Sequence, residues 1–239
     1  MFRPGGWLAL LSLTSCVTVP GPSTDAIRFN ALGAERLEQG DLERAKRLFR
    51  LAVEHAPYYP EAHHNLGVVA LRLGDLDEAK STIIKALHLK EDFAIAHNSL
   101  GIVYLQERSL GKAQSAFRRA LAIRPSYTEA RYNLCLSLMH ARNRAEAKEC
   151  YATLIEINDR IADPHLGLCS LLLEDGLSEK ALEHCTRAVE LDPGLAQAFH
   201  QLGLARLRLH QLPEAREAFA ECARLDPARA DCLQSLESR

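Results

Sequence analysis

The sequence carries little excess charge and contains no long hydrophobic run. Its 239 residues include 29 basic and 31 acidic side chains, a net charge of −2. Nucleic-acid-binding surfaces need excess positive charge to neutralise phosphates, so this balance argues against a nucleic-acid partner. The apolar runs are shorter than the about 20 residues that a membrane-spanning helix needs. With 47% hydrophobic and 25% charged residues, the composition is that of a folded globular chain.

The sequence also lacks the short motifs of the common enzyme classes. It has no glycine-rich phosphate loop, no G-x-S-x-G and no H-E-x-x-H. Segments with the alternating pattern of a β-strand are missing too, which favours an all-α fold. The sequence therefore predicts a protein that is not an enzyme and that uses no cofactor, metal or small-molecule substrate.

The first sixteen residues have the pattern of an exported lipoprotein. Arg3 precedes an apolar run at 7–13, which leads into Cys16 through Thr-Ser. A basic start, a short apolar core and small residues before the cleavage point are typical of a secretory signal. The segment ending at Cys16 resembles a bacterial lipobox, which implies removal of residues 1–15 and a covalent lipid on Cys16. The alternative is an incidental thiol in an apolar N-terminus.

The residues after Cys16 suggest a location and a tether. Val17 follows the cysteine, and by resemblance to enterobacterial lipoproteins, in which Asp there retains the protein at the inner membrane, Val implies the outer membrane. Residues 16–25 include Pro20 and Pro22 and are predicted to be a short extended tether. About eight such residues reach under roughly 30 Å, so the following domain would lie close to the periplasmic face of the membrane.

The rest of the sequence repeats every 34 residues. Six units occupy 26–59, 60–93, 94–127, 128–161, 162–195 and 196–229. In every unit the seventh residue is Leu and the twentieth is Ala, and the eighth is Gly or Cys. With its L-G, A-x₃-F and P signature, the pattern resembles the tetratricopeptide repeat. This resemblance implies six helix–turn–helix pairs stacked in a right-handed α-solenoid. Residues 230–239 continue the register and are predicted to form a short capping helix.

An apolar row runs through the first helix of the repeats. In the tetratricopeptide family, positions 9 and 12 of this helix line the concave surface where partners bind. In this chain those positions are mostly apolar, and the predicted partner-binding residues are Ala34, Leu37, Val68, Leu71, Ile102, Leu105, Leu136 and Met139. A continuous apolar strip marks a protein-binding surface and favours an apolar helix or extended segment as partner. The alternative is that position 12 packs against neighbouring helices as core.

Six cysteines remain after Cys16, and export would place them in an oxidising compartment. Their positions in the repeats predict three local disulfides: Cys135–Cys150, Cys169–Cys185 and Cys222–Cys232. Six buried free thiols are the alternative. His165, Cys169 and Cys185 also resemble three metal ligands, but two cysteines in an exported protein favour a disulfide. The histidines at position 4 of the repeats, His165 among them, are predicted to pack in the core.

Six such repeats behind a lipobox resemble the outer-membrane pilotins of type IV pilus biogenesis, the PilF, PilW and Tgl lipoproteins. This resemblance implies a protein that binds an apolar segment of a secretin, the channel through which the pilus passes, and promotes its multimerisation. Two alternatives stay open. One is a scaffold lipoprotein for outer-membrane protein insertion or for peptidoglycan enzymes, and the other is an enzyme whose site has no recognisable motif.

Overall fold

The computed structural model describes residues 21–237, so the predicted signal peptide, Cys16 and the tether up to residue 20 lie outside the described residues. Within that range all regular structure is helical. The helices are α1 (Thr24–Glu38), α2 (Leu42–His55), α3 (Pro60–Arg72), α4 (Leu76–Leu89), α5 (Ala94–Gln106), α6 (Leu110–Ile123), α7 (Thr128–His140), α8 (Arg144–Ile157), α9 (Ala162–Glu174), α10 (Ser178–Leu191), α11 (Ala196–Arg208), α12 (Leu212–Leu225) and α13 (Ala230–Glu237).

The helices stack in chain order into a solenoid. Each odd-numbered helix from α1 to α11 pairs with the helix after it, and each pair packs on the next. The alanine at position 20 of every repeat is buried, which lets the paired helices approach closely. Three repeats add a glycine that faces a phenylalanine: a Cβ on Gly33 would lie 2.7 Å from the Phe49 ring. The first helix is thereby fixed against the second.

The first helix begins two residues before the predicted repeat boundary at 26. Ser23 is its N-cap, and the Ser23 hydroxyl accepts a hydrogen bond from the backbone N–H of Ala26 at 3.2 Å. A serine in this position satisfies one of the N–H groups that a helix start leaves unpaired. The predicted tether, which extended to residue 25, is therefore shorter by the two residues that α1 takes up.

The turn within each repeat needs one residue in the left-handed region. Glycine fills this position three times, with φ between +76° and +81° at Gly40, Gly74 and Gly176. In the other three repeats a residue with a side chain adopts φ of +57° to +60°, and these are Arg108, Arg142 and His210. Because Cβ then crowds the backbone carbonyl, each of these residues costs about 1–2 kcal/mol.

Arg142→Gly is expected to stabilise the fold. Removing Cβ relieves the left-handed strain, while the greater freedom of glycine in the unfolded chain offsets part of the gain. The free energy of unfolding should rise by about 0.5–1 kcal/mol, measured by urea denaturation followed by circular dichroism. Gly40→Ala is the reciprocal control and should lower it. An unchanged or lower midpoint for Arg142→Gly would show that the turn carries no such strain.

Candidate functional site

The predicted partner-binding residues form a half-buried strip along the first helices of repeats one to four. All eight are partly exposed, so one side of each side chain packs on the core and the other faces solvent. Ala34 and Leu37 pack beside Phe49, and Leu71 packs on the cluster around Ile83. Ile102, Leu105 and Met139 pack on the large cluster of the second half.

Two cavities lie where neighbouring repeats meet along the strip. Leu105 and Leu136 line a cavity of about 500 Å³ between the third and fourth repeats. Met139 and Leu171 line a second cavity of about 350 Å³, and His140 borders both. The strip therefore continues across these joints as a surface with room for side chains of another molecule.

Position 12 does not have one environment in all repeats. Leu173, in the fifth repeat, is only 3% exposed and belongs to the core, as the core alternative expects. Leu207, in the sixth repeat, is 42% exposed. Ser170 interrupts the apolar row at position 9 and donates its hydroxyl to the Leu166 carbonyl. The regular half-exposed strip is thus a property of the first four repeats.

A row of polar contacts runs parallel to the apolar strip. The fifth residue of each of the first three repeats bonds to the sixth residue of the next repeat, and these pairs are Asn30 with Asn65, His64 with Ser99 and Asn98 with Asn133, each at 3.0 Å. Each asparagine pair uses one amide N–H and one amide oxygen. The outer amide of Asn133 keeps an oxygen and a second N–H for another molecule, whereas Asn65 also bonds to His64 and keeps one N–H. Sequence analysis did not identify these pairs, although their 35-residue spacing is visible in the sequence.

The histidines at position 4 hold the turns between repeats. His63 donates through Nε2 to the Pro57 carbonyl at 2.9 Å, and His97 donates in the same way to the Glu91 carbonyl at 3.0 Å. Arg131 makes the equivalent bond to Pro125. Burial lowers the pKa of His63 and of His97, so both stay neutral at pH 7. Their role here is to satisfy a backbone carbonyl.

The structure joins the six cysteines in the three pairs proposed from the sequence. The Cα–Cα distances are 5.4 Å for Cys135–Cys150, 5.4 Å for Cys169–Cys185 and 6.0 Å for Cys222–Cys232, all within the usual range for a disulfide. The first two bridges each connect the two helices of one repeat, and the third connects α12 to α13. All three lie in the second half of the solenoid.

His165 is placed beside another histidine. Its Nδ1 lies 3.1 Å from Nδ1 of His184, and its Nε2 donates to the Asp159 carbonyl at 3.3 Å. Since Cys169 and Cys185 are joined to each other, their sulfurs are not free to act as metal ligands with His165. Between residues 21 and 237, no group of three or more His, Cys, Asp or Glu is arranged to hold a metal ion. None of the helices in this range is long and apolar enough to cross a membrane.

Comparison with known proteins identifies the repeat. Family models of the tetratricopeptide repeat match residues 36–100, 104–170 and 196–229, and neither of them is an enzyme family. A search of curated proteins finds no match.

Several solved structures share the fold. PilF of Pseudomonas aeruginosa is 20% identical, with a TM-score of 0.80 over 90% of this chain and 98% of its own. PilW, a widely conserved type IV pilus biogenesis factor, is 17% identical, with a TM-score of 0.78 over 90% and 99%. YrrB, a repeat protein with an unusual peptide-binding site, is 22% identical, with a TM-score of 0.66 over 79% and 97%. Since the family models match more than half of its residues, the chain belongs to the tetratricopeptide repeat family.

Proposed function

We propose that this protein is a non-catalytic lipoprotein of the outer membrane that binds an apolar segment of a type IV pilus secretin and promotes assembly of the secretin multimer. The observation that carries the proposal is the half-exposed apolar strip from Ala34 to Met139. The likeness in fold to PilF and PilW, which extends over nearly their whole length, supports the choice of a pilus protein.

The strip lines the concave surface of the solenoid, which we call the groove. The chemistry of this groove favours one kind of partner segment. An apolar side chain that enters the strip gains about 1.5–3 kcal/mol from burial. The adjoining amides of Asn65 and Asn133 each offer an N–H donor to the partner's backbone, and Asn133 also offers an acceptor. A groove with one apolar and one amide row suits an amphipathic helix or an extended segment, whose apolar side chains and polar backbone lie side by side.

Cys16→Ala is expected to remove the protein from the outer membrane. Without the thiol no lipid can be attached, so the protein should become soluble or stay uncleaved, in both cases away from the outer membrane. Immunoblots of fractionated native-host cells would measure the shift, together with the loss of detergent-resistant secretin multimers. Thr18→Ala is the control, because it leaves the acylated residue in place. Outer-membrane fractionation of Cys16→Ala equal to that of the native protein would refute the lipid anchor.

Chemical cross-linking in the cell envelope separates the proposal from its alternative. Purification of the cross-linked protein should recover secretin subunits. Recovery of barrel-assembly components or peptidoglycan hydrolases, without secretin, would instead support a scaffold lipoprotein. Cross-linking is performed at native expression levels, so that abundant bystanders are not captured by excess protein.

A further inference from the structure

Four of the five joints between repeats are closed by the same pair of positions. The fifth residue of a repeat meets the last residue of that repeat, just before the next repeat begins. These contacts are the hydrogen bonds Asn30–Tyr59 at 3.4 Å and Asn98–Tyr127 at 3.5 Å, the ring contact His64–Phe93 at 5.2 Å and the packing of Leu195 on the apolar cluster that contains Leu166. Each contact fills the space between two neighbouring first helices.

At the joint between the fourth and fifth repeats these two positions form neither a hydrogen bond nor a ring contact, and both residues line an open cleft. The two residues are Tyr132 and Ile161, and among residues 21–237 the Tyr132 hydroxyl has no hydrogen-bond partner. The first helices α7 and α9 also approach each other less closely than the other neighbouring first helices do. A cleft of about 690 Å³ remains between them.

The cleft has apolar walls and an acidic lining. Leu154 lies at its base, and Ile157, which is 48% exposed, lines it together with Ile161. The carboxylates of Glu129 and Asp163 line it as well, and neither makes an ion pair within the described part of the chain.

Glu61 occupies the position of Glu129 two repeats earlier, and it pairs with Lys90 at 3.4 Å. At this position of the repeats the acidic side chains therefore differ, since Glu61 is paired and Glu129 is not. Burial and, second to it, the negative charge of Asp163 raise the pKa of the Tyr132 hydroxyl, so the ring stays neutral beside that carboxylate.

These walls complement a long basic side chain. Its methylene groups can lie along Ile157 and Ile161, and its charged end can meet the carboxylates in hydrogen bonds of the stronger, charge-assisted kind. A guanidinium group also stacks on an aromatic ring such as that of Tyr132. An acidic side chain would be repelled, and an apolar one would leave both carboxylates without a partner. The Cys135–Cys150 and Cys169–Cys185 bridges brace the repeats on either side, so the cleft would change little on binding.

We propose that this cleft binds an arginine side chain of the segment that occupies the groove. The assignment of that segment to a secretin rests on the proposed function, whereas recognition of arginine does not. The partner segment would then combine apolar residues, which contact the strip, with one arginine that enters the cleft.

Titration of the oxidised, full-length protein with Nα-acetylarginine amide tests the proposal. Amide resonances of residues that line the cleft should shift in nuclear magnetic resonance spectra. The citrulline analogue has the same shape without the charge, and it should bind about tenfold or more weakly. Glu129→Gln with Asp163→Asn should remove the difference between the two probes. The control is Glu179→Gln with Glu217→Gln, which changes the net charge equally at exposed sites on α10 and α12 and should keep the difference.

Equal binding of the two probes, or shifts confined to residues outside the cleft, would overturn the proposal. Retention of arginine binding by the double variant would do the same. If that variant unfolds, Asp163→Asn alone provides the comparison. Because the probes contain no secretin sequence, arginine binding without secretin recovery would refute only the proposed function. Secretin recovery without arginine binding would refute only the role of the cleft.

Discussion

The double variant Leu71→Glu with Leu105→Glu is expected to abolish secretin multimers while leaving the solenoid helical. Both leucines are half-buried in the strip, and Leu105 lines the cavity shared by the third and fourth repeats. If a partner covers each leucine, loss of about 1.5–3 kcal/mol per site weakens binding by about 10²- to 10⁴-fold in the double variant. The carboxylates reach solvent through the open side of the groove, so the fold should tolerate them.

The control for this variant places the same charge on exposed leucines outside the strip. Leu51 is 36% exposed on α2 and Leu212 is 54% exposed on α12, so Leu51→Glu with Leu212→Glu should leave multimers intact. Far-ultraviolet circular dichroism and gel filtration report the folding of both variants. If Leu71→Glu with Leu105→Glu unfolds, the two leucines are core. If it folds and multimers still form, the partner binds elsewhere.

Removal of the disulfides is expected to weaken only the second half of the solenoid. The bridges join residues that are 15, 16 and 10 positions apart. Because each bridge restricts the unfolded chain, each raises the free energy of unfolding by about 2–4 kcal/mol. In a repeat protein each unit contacts mainly its neighbours, so the loss should stay local. Under reducing conditions amide hydrogen exchange should accelerate from α7 to α12 and remain unchanged in α1 to α4.

Peptide mapping without reduction checks the pairing itself. Three linked peptides are expected, one for each predicted bridge. The internal control is the first half of the solenoid, which contains no cysteine between residues 17 and 134. Peptides linked across repeats, or six thiols open to alkylation in the oxidised protein, would contradict the pairing. Uniform acceleration of exchange along the chain would contradict the local effect.

The period of the sequence predicts whatever the repeats have in common. The predicted starts at 60, 94, 128, 162 and 196 coincide with the first residues of α3, α5, α7, α9 and α11. A recurring leucine or alanine identifies a buried position because the same neighbour recurs one repeat away. The all-α fold and its order of helices were therefore accessible from the sequence.

The 34-residue period does not predict how buried a residue is where its neighbours differ from repeat to repeat. Leu173 and Leu207 occupy the same position, yet Leu173 is covered by the core of the second half, whereas Leu207 lies outside that core and is exposed. The cleft likewise arises at a departure in a pair of positions, since Tyr132 and Ile161 stand where the first three repeats have an aromatic last residue and where the fifth repeat has Leu166 with Leu195. Such a departure is visible in the sequence, but the space it leaves is visible only once the helices are packed.

The confinement of the bridges to one half also bears on how the protein would respond to tension. A load applied to the chain before α1 acts first on helices that no covalent link restrains, and they would peel away in chain order. The first bridge encountered, Cys135–Cys150, withholds 15 residues from extension, about 50 Å of contour length. A protein held at its N-terminus would thus extend its first three repeats fully, whereas the fourth and fifth repeats would each retain a loop that tension cannot extend.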